Sequence, residues 1–232
     1  MPTLFIAGDS TAAHKGGGEK PMAGWGEYLP FHFNSGITVD NRAINGRSTK
    51  SYIAQGRLAH IEQDFRPGDY LLIQFGHNDG KVEDPERYTD PGQDYRQNLT
   101  AFIHAARSRG GFPVLLTSVS RRRFTAEGEP DPLAVGAYPQ AMREVAEAAG
   151  APLLDIFASS QLLYRTLGIE ASRRLFMHLP ERVHPNYPEG ITDDTHFCEQ
   201  GAQAIAGLVA EAIARSSALS ALQPHLRLPG NT

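Results

Sequence analysis

Short apolar runs alternate with helical segments along the chain, and this alternation constrains the fold more than any other feature of the sequence. Runs of strand length and composition occur at residues 4–7, 37–44, 70–75, 113–119 and 153–156. Helical segments are predicted at residues 24–33, 48–65 (with a break near residue 56), 94–109, 138–149, 161–167 and 201–215. Strands separated by helices in this way form a parallel sheet with helices on both faces. The sequence therefore predicts an α/β protein, a three-layer α/β/α sandwich around a parallel sheet of about five strands.

Composition indicates one soluble globular domain. The 232 residues are 41% hydrophobic and 21% charged, which is typical of folded rather than disordered chains. We therefore expect a single domain over residues 1–232. Residues 216–232 are interpreted as a C-terminal tail that either frays or forms a dimer contact, which leaves a homodimer open.

Charge and hydropathy argue against two classes of partner. The formal net charge is -4 and the one basic cluster is Arg121–Arg123, so no nucleic-acid-binding face is predicted. No apolar run approaches the roughly 18 residues of a membrane span. Residues 1–7 lack a basic segment before their short apolar run, so they do not form a signal peptide and a cytoplasmic location is expected.

Polar segments follow the first three predicted strands, at residues 8–11, 45–47 and 76–79. The carboxyl ends of parallel strands meet at one edge of a sheet, and ligands bind outside that edge. We therefore expect these three segments to lie close together and to form the functional site.

Ser10 is the candidate nucleophile of this site. It follows a buried strand directly, and a strand-to-helix turn there would expose its hydroxyl and leave free backbone N–H groups for an oxyanion. The alternative is that Ser10 only caps a helix, which is the more common use of a serine taken by itself.

Gly46 and Asn78 are candidate oxyanion donors. A glycine after a strand lets the backbone approach a ligand closely, and a side-chain amide donates without carrying a charge. Each also has an ordinary interpretation, Gly46 as part of an Asn-Gly turn and Asn78 as a turn or cap residue.

His196 is the candidate general base, since histidine titrates near neutrality. On one turn of a helix-like loop, Asp193 at i-3 shares its face, whereas Asp194 at i-2 points away. Asp193 is therefore predicted to orient the imidazole. The alternative is a capping aspartate beside a surface histidine.

The order of these segments carries more information than any one of them. A Gly-Asp-Ser (8–10), a central glycine (Gly46), a Gly-X-Asn-Asp (76–79) and an Asp-X-X-His (193–196) follow one another along the chain. In this the sequence resembles the SGNH (GDSL-like) hydrolases, over essentially residues 4–215. The resemblance implies the flavodoxin-like fold of these enzymes.

The resemblance also implies a serine esterase without metal or organic cofactor. Its catalytic residues would be Ser10, Asp193 and His196. Its oxyanion hole would be formed by the Ser10 and Gly46 N–H groups and the Asn78 side chain.

The residues around the four blocks narrow the resemblance. Residues 9–11, 24–26, 45–51, 75–79 and 194–197 resemble those of rhamnogalacturonan acetylesterases. This implies an acetylated oligosaccharide from pectin as substrate. Two alternatives remain at this point: a thioesterase or lysophospholipase-like enzyme acting on longer acyl chains, and a non-catalytic carbohydrate-binding module on the same fold.

Three further residues are candidates for substrate binding. His77 precedes Asn78 and is expected either to contact the leaving group or to pack at the strand end. Arg122 and Arg123 follow the fourth strand, and an arginine binds a carboxylate through two hydrogen bonds, so either is a candidate for a galacturonate. The alternative is a solvated run on the surface.

No metal site is predicted. His178, His184 and the 193–196 segment contain ligand-type side chains, but their spacing matches no zinc pattern. Cys198 is interpreted as a small packing residue rather than as a nucleophile.

Overall fold

The computed structural model describes residues 1–227. Its strands are β1 (Thr3–Gly8), β2 (Met22–Ala23), β3 (Thr38–Asn41), β4 (Tyr70–Gln74), β5 (Phe112–Leu116), β6 (Leu153–Leu154), β7 (Phe176–Leu179) and β8 (Ile191–Cys198). Its α-helices are α1 (Trp25–Tyr28), α2 (Thr49–Ala54), α3 (Arg57–Asp64), α4 (Asp94–Ser108), α5 (Tyr138–Ala149), α6 (Ile156–Ser172) and α7 (Glu199–Arg215).

A five-stranded parallel sheet forms the centre of the molecule, in the order β3-β1-β4-β5-β6. Side chains of β1 alternate between its two faces. Leu4 and Ile6 belong to one core cluster, which includes residues of α1, α6 and α7, and Phe5 and Ala7 belong to another, which includes residues of α2 to α5. The predicted three-layer α/β/α sandwich is thus confirmed.

Several predicted strands are shorter in the structure, most clearly those predicted at residues 37–44 and 153–156. The β3 ladder ends at Asn41, although Arg42 and Ile44 still donate backbone hydrogen bonds to β1. The strand at 153–156 has only two residues, because the Asp155 side chain accepts a hydrogen bond from the N–H of Ala158 and caps helix α6, which begins at Ile156.

A second, antiparallel sheet of three strands, β2-β8-β7, was not predicted. Residues 193–196, expected in a helix-like loop, lie in its middle strand β8. The expectation was wrong because Asp193 pairs with β7 and Phe197 pairs with both β7 and β2, and pairing at the two ends of this segment outweighs the poor strand propensity of two consecutive aspartates.

Part of the expected tail is packed on the core. Leu219, Leu222 and Leu226 are buried, and backbone hydrogen bonds join residues 225 and 227 to residues 32–34. Residues 216–227 therefore do not form a frayed end, while the rest of the expected tail lies outside the described residues. Within residues 1–227, no helix combines the length and the hydrophobicity that spanning a membrane requires.

Candidate active site

Ser10 lies just beyond β1, at the edge of the sheet where the strands end. The N–H groups of Ala12 and Ala13 both donate to the carbonyl of Asp9, so one helical turn follows the strand. This turn is all of the helix that follows Ser10 directly, since α1 begins only at Trp25. The backbone N–H groups of Ser10 and Gly46 donate to no acceptor within residues 1–227, as an oxyanion site requires.

Ser10, His196 and Asp193 form a continuous chain of contacts. Ser10 Oγ lies 2.8 Å from His196 Nε2, and His196 Nδ1 lies 2.6 Å from Asp193 Oδ2. The other carboxylate oxygen of Asp193 accepts from the N–H groups of Thr195 (2.7 Å) and His196 (3.0 Å). Both the imidazole and the carboxylate are therefore held in one orientation.

A β-bulge in β8 brings Asp193 and His196 together. Residues three apart on a regular strand point to opposite faces of the sheet. Here Met177 pairs with Asp193 while the preceding Phe176 pairs with Phe197, so residues 194–196 leave the ladder. The predicted pair is therefore present, although its cause is a bulge and not a helical turn.

The environment of Asp193 keeps its carboxylate ionised. Burial by itself would raise the pKa of Asp193, but the hydrogen bond and charge of His196 and the two backbone N–H groups outweigh burial and lower the pKa to about 2. An ionised acceptor at Nδ1 places the proton on that nitrogen. Nε2 is then free to accept from the Ser10 hydroxyl.

Gly46 and Asn78 line the same cleft as Ser10 and His196. The volume of this cleft is about 360 Å³. Gly46 has a φ of +73°, which favours glycine. The Asn78 amide nitrogen donates to the carbonyl of Arg47 at 3.1 Å, which leaves its second hydrogen without an acceptor in residues 1–227. All three predicted oxyanion donors thus face one space.

Asp79, which the sequence indicated only as part of a block, braces this region. Its fully buried carboxylate accepts from the Thr49 N–H (3.1 Å), the Thr49 hydroxyl (2.5 Å) and the Thr89 hydroxyl (2.9 Å). Burial raises the pKa of Asp79 to about 7 despite these hydrogen bonds. Asp79 therefore joins the segment after β4 to the start of α2 and to the loop before α4.

Lys15 was missed by the sequence analysis. Its side chain is buried, and its ammonium donates to the carbonyl of Ser10 at 2.6 Å and to the side chain of Asn45. Asn45 in turn donates to Glu19 at 2.7 Å. Lys15 thus links the segment of the candidate nucleophile to that of Gly46. A lysine in a glycine-rich segment gives no sign of this role, because one of its two contacts is with Asn45, which is 30 positions away in the sequence.

His77 is buried against Asp9. Its Nδ1 lies 3.1 Å from Asp9 Oδ2, and its Nε2 is buried without a partner. Burial alone would raise the pKa of Asp9, but its interactions with His77 and with Thr11 lower the pKa below its usual value. An ionised Asp9 fixes the His77 proton on Nδ1, so Nε2 is left as an acceptor beside the cleft.

The structure corrects the expectation for Arg122. Its guanidinium donates to Asp194 Oδ1 (2.9 Å), to Ser172 Oγ (3.0 Å) and to the carbonyl of Ile169, so these groups occupy it and it does not line the cleft. Arg123 is exposed and forms an ion pair with Asp131 at 2.6 Å.

The preceding arginine, Arg121, takes the position that was expected of Arg122 or Arg123. It lines the cleft together with three other cationic side chains, those of Lys15, Lys81 and Arg87. The run of three arginines indicated the right region of the sheet edge. It did not indicate which of them turns toward the cleft.

The model of the GDSL-like Lipase/Acylhydrolase family matches residues 6–204. The chain belongs to this family. It is therefore a carboxylic ester hydrolase, as the four polar blocks implied. The GDSL-like assignment is independent of the site geometry and agrees with it.

Two relatives from Bacillus subtilis (strain 168) align with nearly the whole of this chain. Rhamnogalacturonan acetylesterase RhgT is 46% identical over 210 residues, which cover 90% of this chain and 88% of the relative. Probable rhamnogalacturonan acetylesterase YesY is 36% identical over 214 residues, covering 90% and 91%. The resemblance to this branch of the family is confirmed.

Solved structures share the fold. The protein YxiM from Bacillus subtilis superimposes with a TM-score of 0.79 at 24% identity, covering 92% of this chain and 56% of that one. A catalytic mutant of Axe2, an acetylxylan esterase from Geobacillus stearothermophilus, superimposes with a TM-score of 0.61 at 18% identity, covering 92% and 93%. The α/β sandwich is thus shared with these two proteins.

Proposed function

We propose that Ser10, His196 and Asp193 are a catalytic triad that removes acetyl groups from rhamnogalacturonan oligosaccharides. The observation that carries the proposal is the unbroken chain from Ser10 Oγ through the His196 ring to the Asp193 carboxylate, at the mouth of a cleft. The Ser10 hydroxyl has a base within hydrogen-bonding distance, and the imidazole of that base has a carboxylate, as a serine hydrolase requires.

The reaction would proceed through an acetylated Ser10. Ser10 Oγ attacks the ester carbonyl carbon while His196 Nε2 takes the hydroxyl proton, and Asp193 stabilises the resulting imidazolium. The oxyanion accepts from the Ser10 and Gly46 N–H groups and from the Asn78 amide. Collapse breaks the bond to the sugar oxygen, which takes the proton from His196. Water then attacks the acetyl group by the same steps and releases acetate.

The cleft favours a short acyl group. Met22 is the only apolar side chain among the described residues that line it. A long acyl chain requires an extended apolar surface, since each buried methylene contributes about 0.8 kcal/mol. A thioesterase or lysophospholipase activity is therefore disfavoured relative to acetyl transfer to water.

The polarity of the cleft fits an acidic sugar chain. The cleft is lined by four cationic side chains, those of Lys15, Lys81, Arg87 and Arg121. Only one carboxylate, that of Glu19, lines it among the described residues. Together with the relatives RhgT and YesY, this supports a uronic-acid-containing oligosaccharide over a neutral one.

The first experiment compares the wild type, Ser10→Ala and Ser35→Ala with 4-nitrophenyl acetate. Ser35 is exposed and precedes β3, at the opposite end of the sheet from the site. We expect Ser10→Ala to abolish turnover and Ser35→Ala to retain it. Equal rates for all three proteins would remove Ser10 as nucleophile and favour the carbohydrate-binding module.

A second measurement identifies the acyl group and the sugar. We expect rates to fall as the aryl ester is lengthened from acetate to octanoate. We also expect acetate to be released faster from acetylated rhamnogalacturonan oligosaccharides than from acetylated xylo-oligosaccharides. A preference for octanoate, or for the xylan substrate, would contradict the proposed substrate.

A further inference from the structure

A second cavity adjoins the catalytic cleft. It has a volume of about 450 Å³, within the range of ligand-binding pockets. Its walls come from the segment after β4 and from the loop between β5 and α5. Three side chains line both cavities: His77, Lys81 and Arg121. We call these three residues the cationic bridge.

The two charges of the cationic bridge are not neutralised by the protein. Within residues 1–227, neither the Lys81 ammonium nor the Arg121 guanidinium has a carboxylate within 4.0 Å. Neighbouring arginines differ in this respect. Arg87 is paired with Asp84, and Arg123 with Asp131.

Unused hydrogen-bonding groups also lie at the cationic bridge. Among the described residues, Arg121 Nε is buried with no hydrogen-bond partner, and Arg121 Nη2 has only a long contact of 3.4 Å with the carbonyl of His77. His77 is 5% exposed, and its Nε2 is unpartnered. Buried polar groups in native proteins are nearly always satisfied, so unsatisfied ones at a cavity wall point to a ligand.

These groups match one chemical class of ligand. A guanidinium and an ammonium bind a carboxylate, and the guanidinium does so through two parallel N–H groups. His77 Nε2, an acceptor while Nδ1–H donates to Asp9, suits a sugar hydroxyl. A carboxylate and hydroxyl groups on one ring describe a uronic acid.

We propose that the cationic bridge of His77, Lys81 and Arg121 is a subsite that binds the carboxylate and a hydroxyl group of a uronic acid residue in the bound oligosaccharide. This assignment rests on the proposed function and adds to that function the residues that select an acidic sugar chain. Because the bridge faces both cavities, a sugar bound there belongs to the chain whose ester reaches Ser10.

Binding to the Ser10→Ala protein tests the subsite without turnover. Two ligands are compared by titration calorimetry: an acetylated rhamnogalacturonan oligosaccharide, and the same oligosaccharide with its carboxyl groups chemically reduced to alcohols. Arg121→Gln and Lys81→Gln are introduced into this background. Arg215→Gln is the matched control, since Arg215 is exposed on α7 and pairs only with Glu211.

We expect each bridge variant to weaken binding of the acidic ligand about tenfold or more, as expected for the loss of a charged hydrogen bond. Affinity for the reduced ligand should stay at the level of the Ser10→Ala parent, and Arg215→Gln should bind both ligands as the parent does. Lys81→Gln is the variant less expected to disturb folding, because the Lys81 ammonium pairs with no carboxylate in the part of the chain that the structure describes.

Two results would overturn the subsite. One is an equal loss of affinity for both ligands, which would indicate a structural role, and the other is no loss beyond that of Arg215→Gln. The proposed function is tested separately by acetate release from the acidic ligand by the Ser10-containing protein. Binding that depends on the bridge without acetate release would contradict the function alone.

Discussion

Adjacent aspartates in β8 have different partners. Asp193 contacts His196, whereas the next carboxylate, that of Asp194, accepts from Arg122 at 2.9 Å and lies 2.7 Å from His178. Successive side chains of a strand point in opposite directions, and the bulge leaves Asp194 outside the ladder. One residue of displacement thus separates the carboxylate proposed to orient the base from a carboxylate that joins β8 to β7 and to the arginine segment.

This difference gives a matched pair of variants. Asp193→Asn should lower kcat by about 10³- to 10⁴-fold, because an amide in place of the carboxylate no longer secures the proton on His196 Nδ1. Asp194→Asn should retain most of the activity. Steady-state kinetics with 4-nitrophenyl acetate decides between them, and a larger loss in Asp194→Asn would reverse the assignment.

The amide of Asn78 should act mainly in the transition state. Replacing it in Asn78→Ala should lower kcat by about 10²- to 10³-fold with little change in KM, because the donor binds the oxyanion more strongly than the ground-state carbonyl. Separate kcat and KM values on an acetylated oligosaccharide measure this. An unchanged kcat would remove Asn78 from the oxyanion hole.

At the scale of elements, the buried carboxylate of Asp79 joins the segments that form the candidate site. Asp79 holds the start of α2, the loop before α4 and the end of β4 in contact, and its carbonyl accepts from the Tyr138 hydroxyl of α5 at 2.8 Å. The loop carries Lys81 and Arg87. Asp79 therefore sets where these cationic groups lie relative to Asn78.

The raised pKa of Asp79 predicts a pH dependence of stability. With a pKa of about 7 when folded against about 3.9 when unfolded, folding takes up a proton between these values, so this group's contribution to stability falls as pH rises toward 7. The free energy of unfolding of Asp79→Asn relative to the wild type should therefore rise by about 3 kcal/mol from pH 5 to pH 8. Urea unfolding at both pH values measures it, and a constant difference would contradict the raised pKa.

The sequence predicts the elements of the central sheet better than those around β8. Strands such as β1 and β4 are apolar on both faces, so their composition alone reveals them. Strand β8 is polar because it carries Asp193, Asp194 and His196, and β2 has only two residues, so neither strand has a local sequence signal. The sequence also does not predict which of Arg121, Arg122 and Arg123 lines the cleft, because this depends on the path of the backbone after β5.

At the scale of the whole molecule, the segment of residues 216–227 completes the core on the side of α7. Its three buried leucines join the cluster that includes Phe33 and Ile37, at the end of the sheet remote from Ser10. The interpretation of this segment as a tail failed because its apolar residues are spaced irregularly over two short 3-10 turns, which gives no helical or strand period.

Leu222→Ala tests this contribution. Leu222 is fully buried, so the truncation should lower the free energy of unfolding by about 2–5 kcal/mol. The matched control is Leu162→Ala on α6, whose side chain is 60% exposed and should change stability by less than about 0.5 kcal/mol. Equal effects of the two variants in denaturant titrations would show that residues 216–227 add nothing to the core.

The separation of the proposed triad along the chain has a consequence for biosynthesis. Ser10 and His196 are 186 residues apart, and His196, the proposed base, lies in β8. A ribosome adding about 5–20 residues per second needs roughly 10 to 40 s to pass from one to the other. During that interval the nascent polypeptide carries the proposed nucleophile without its proposed base, so we expect esterase activity to begin only after His196 has been translated.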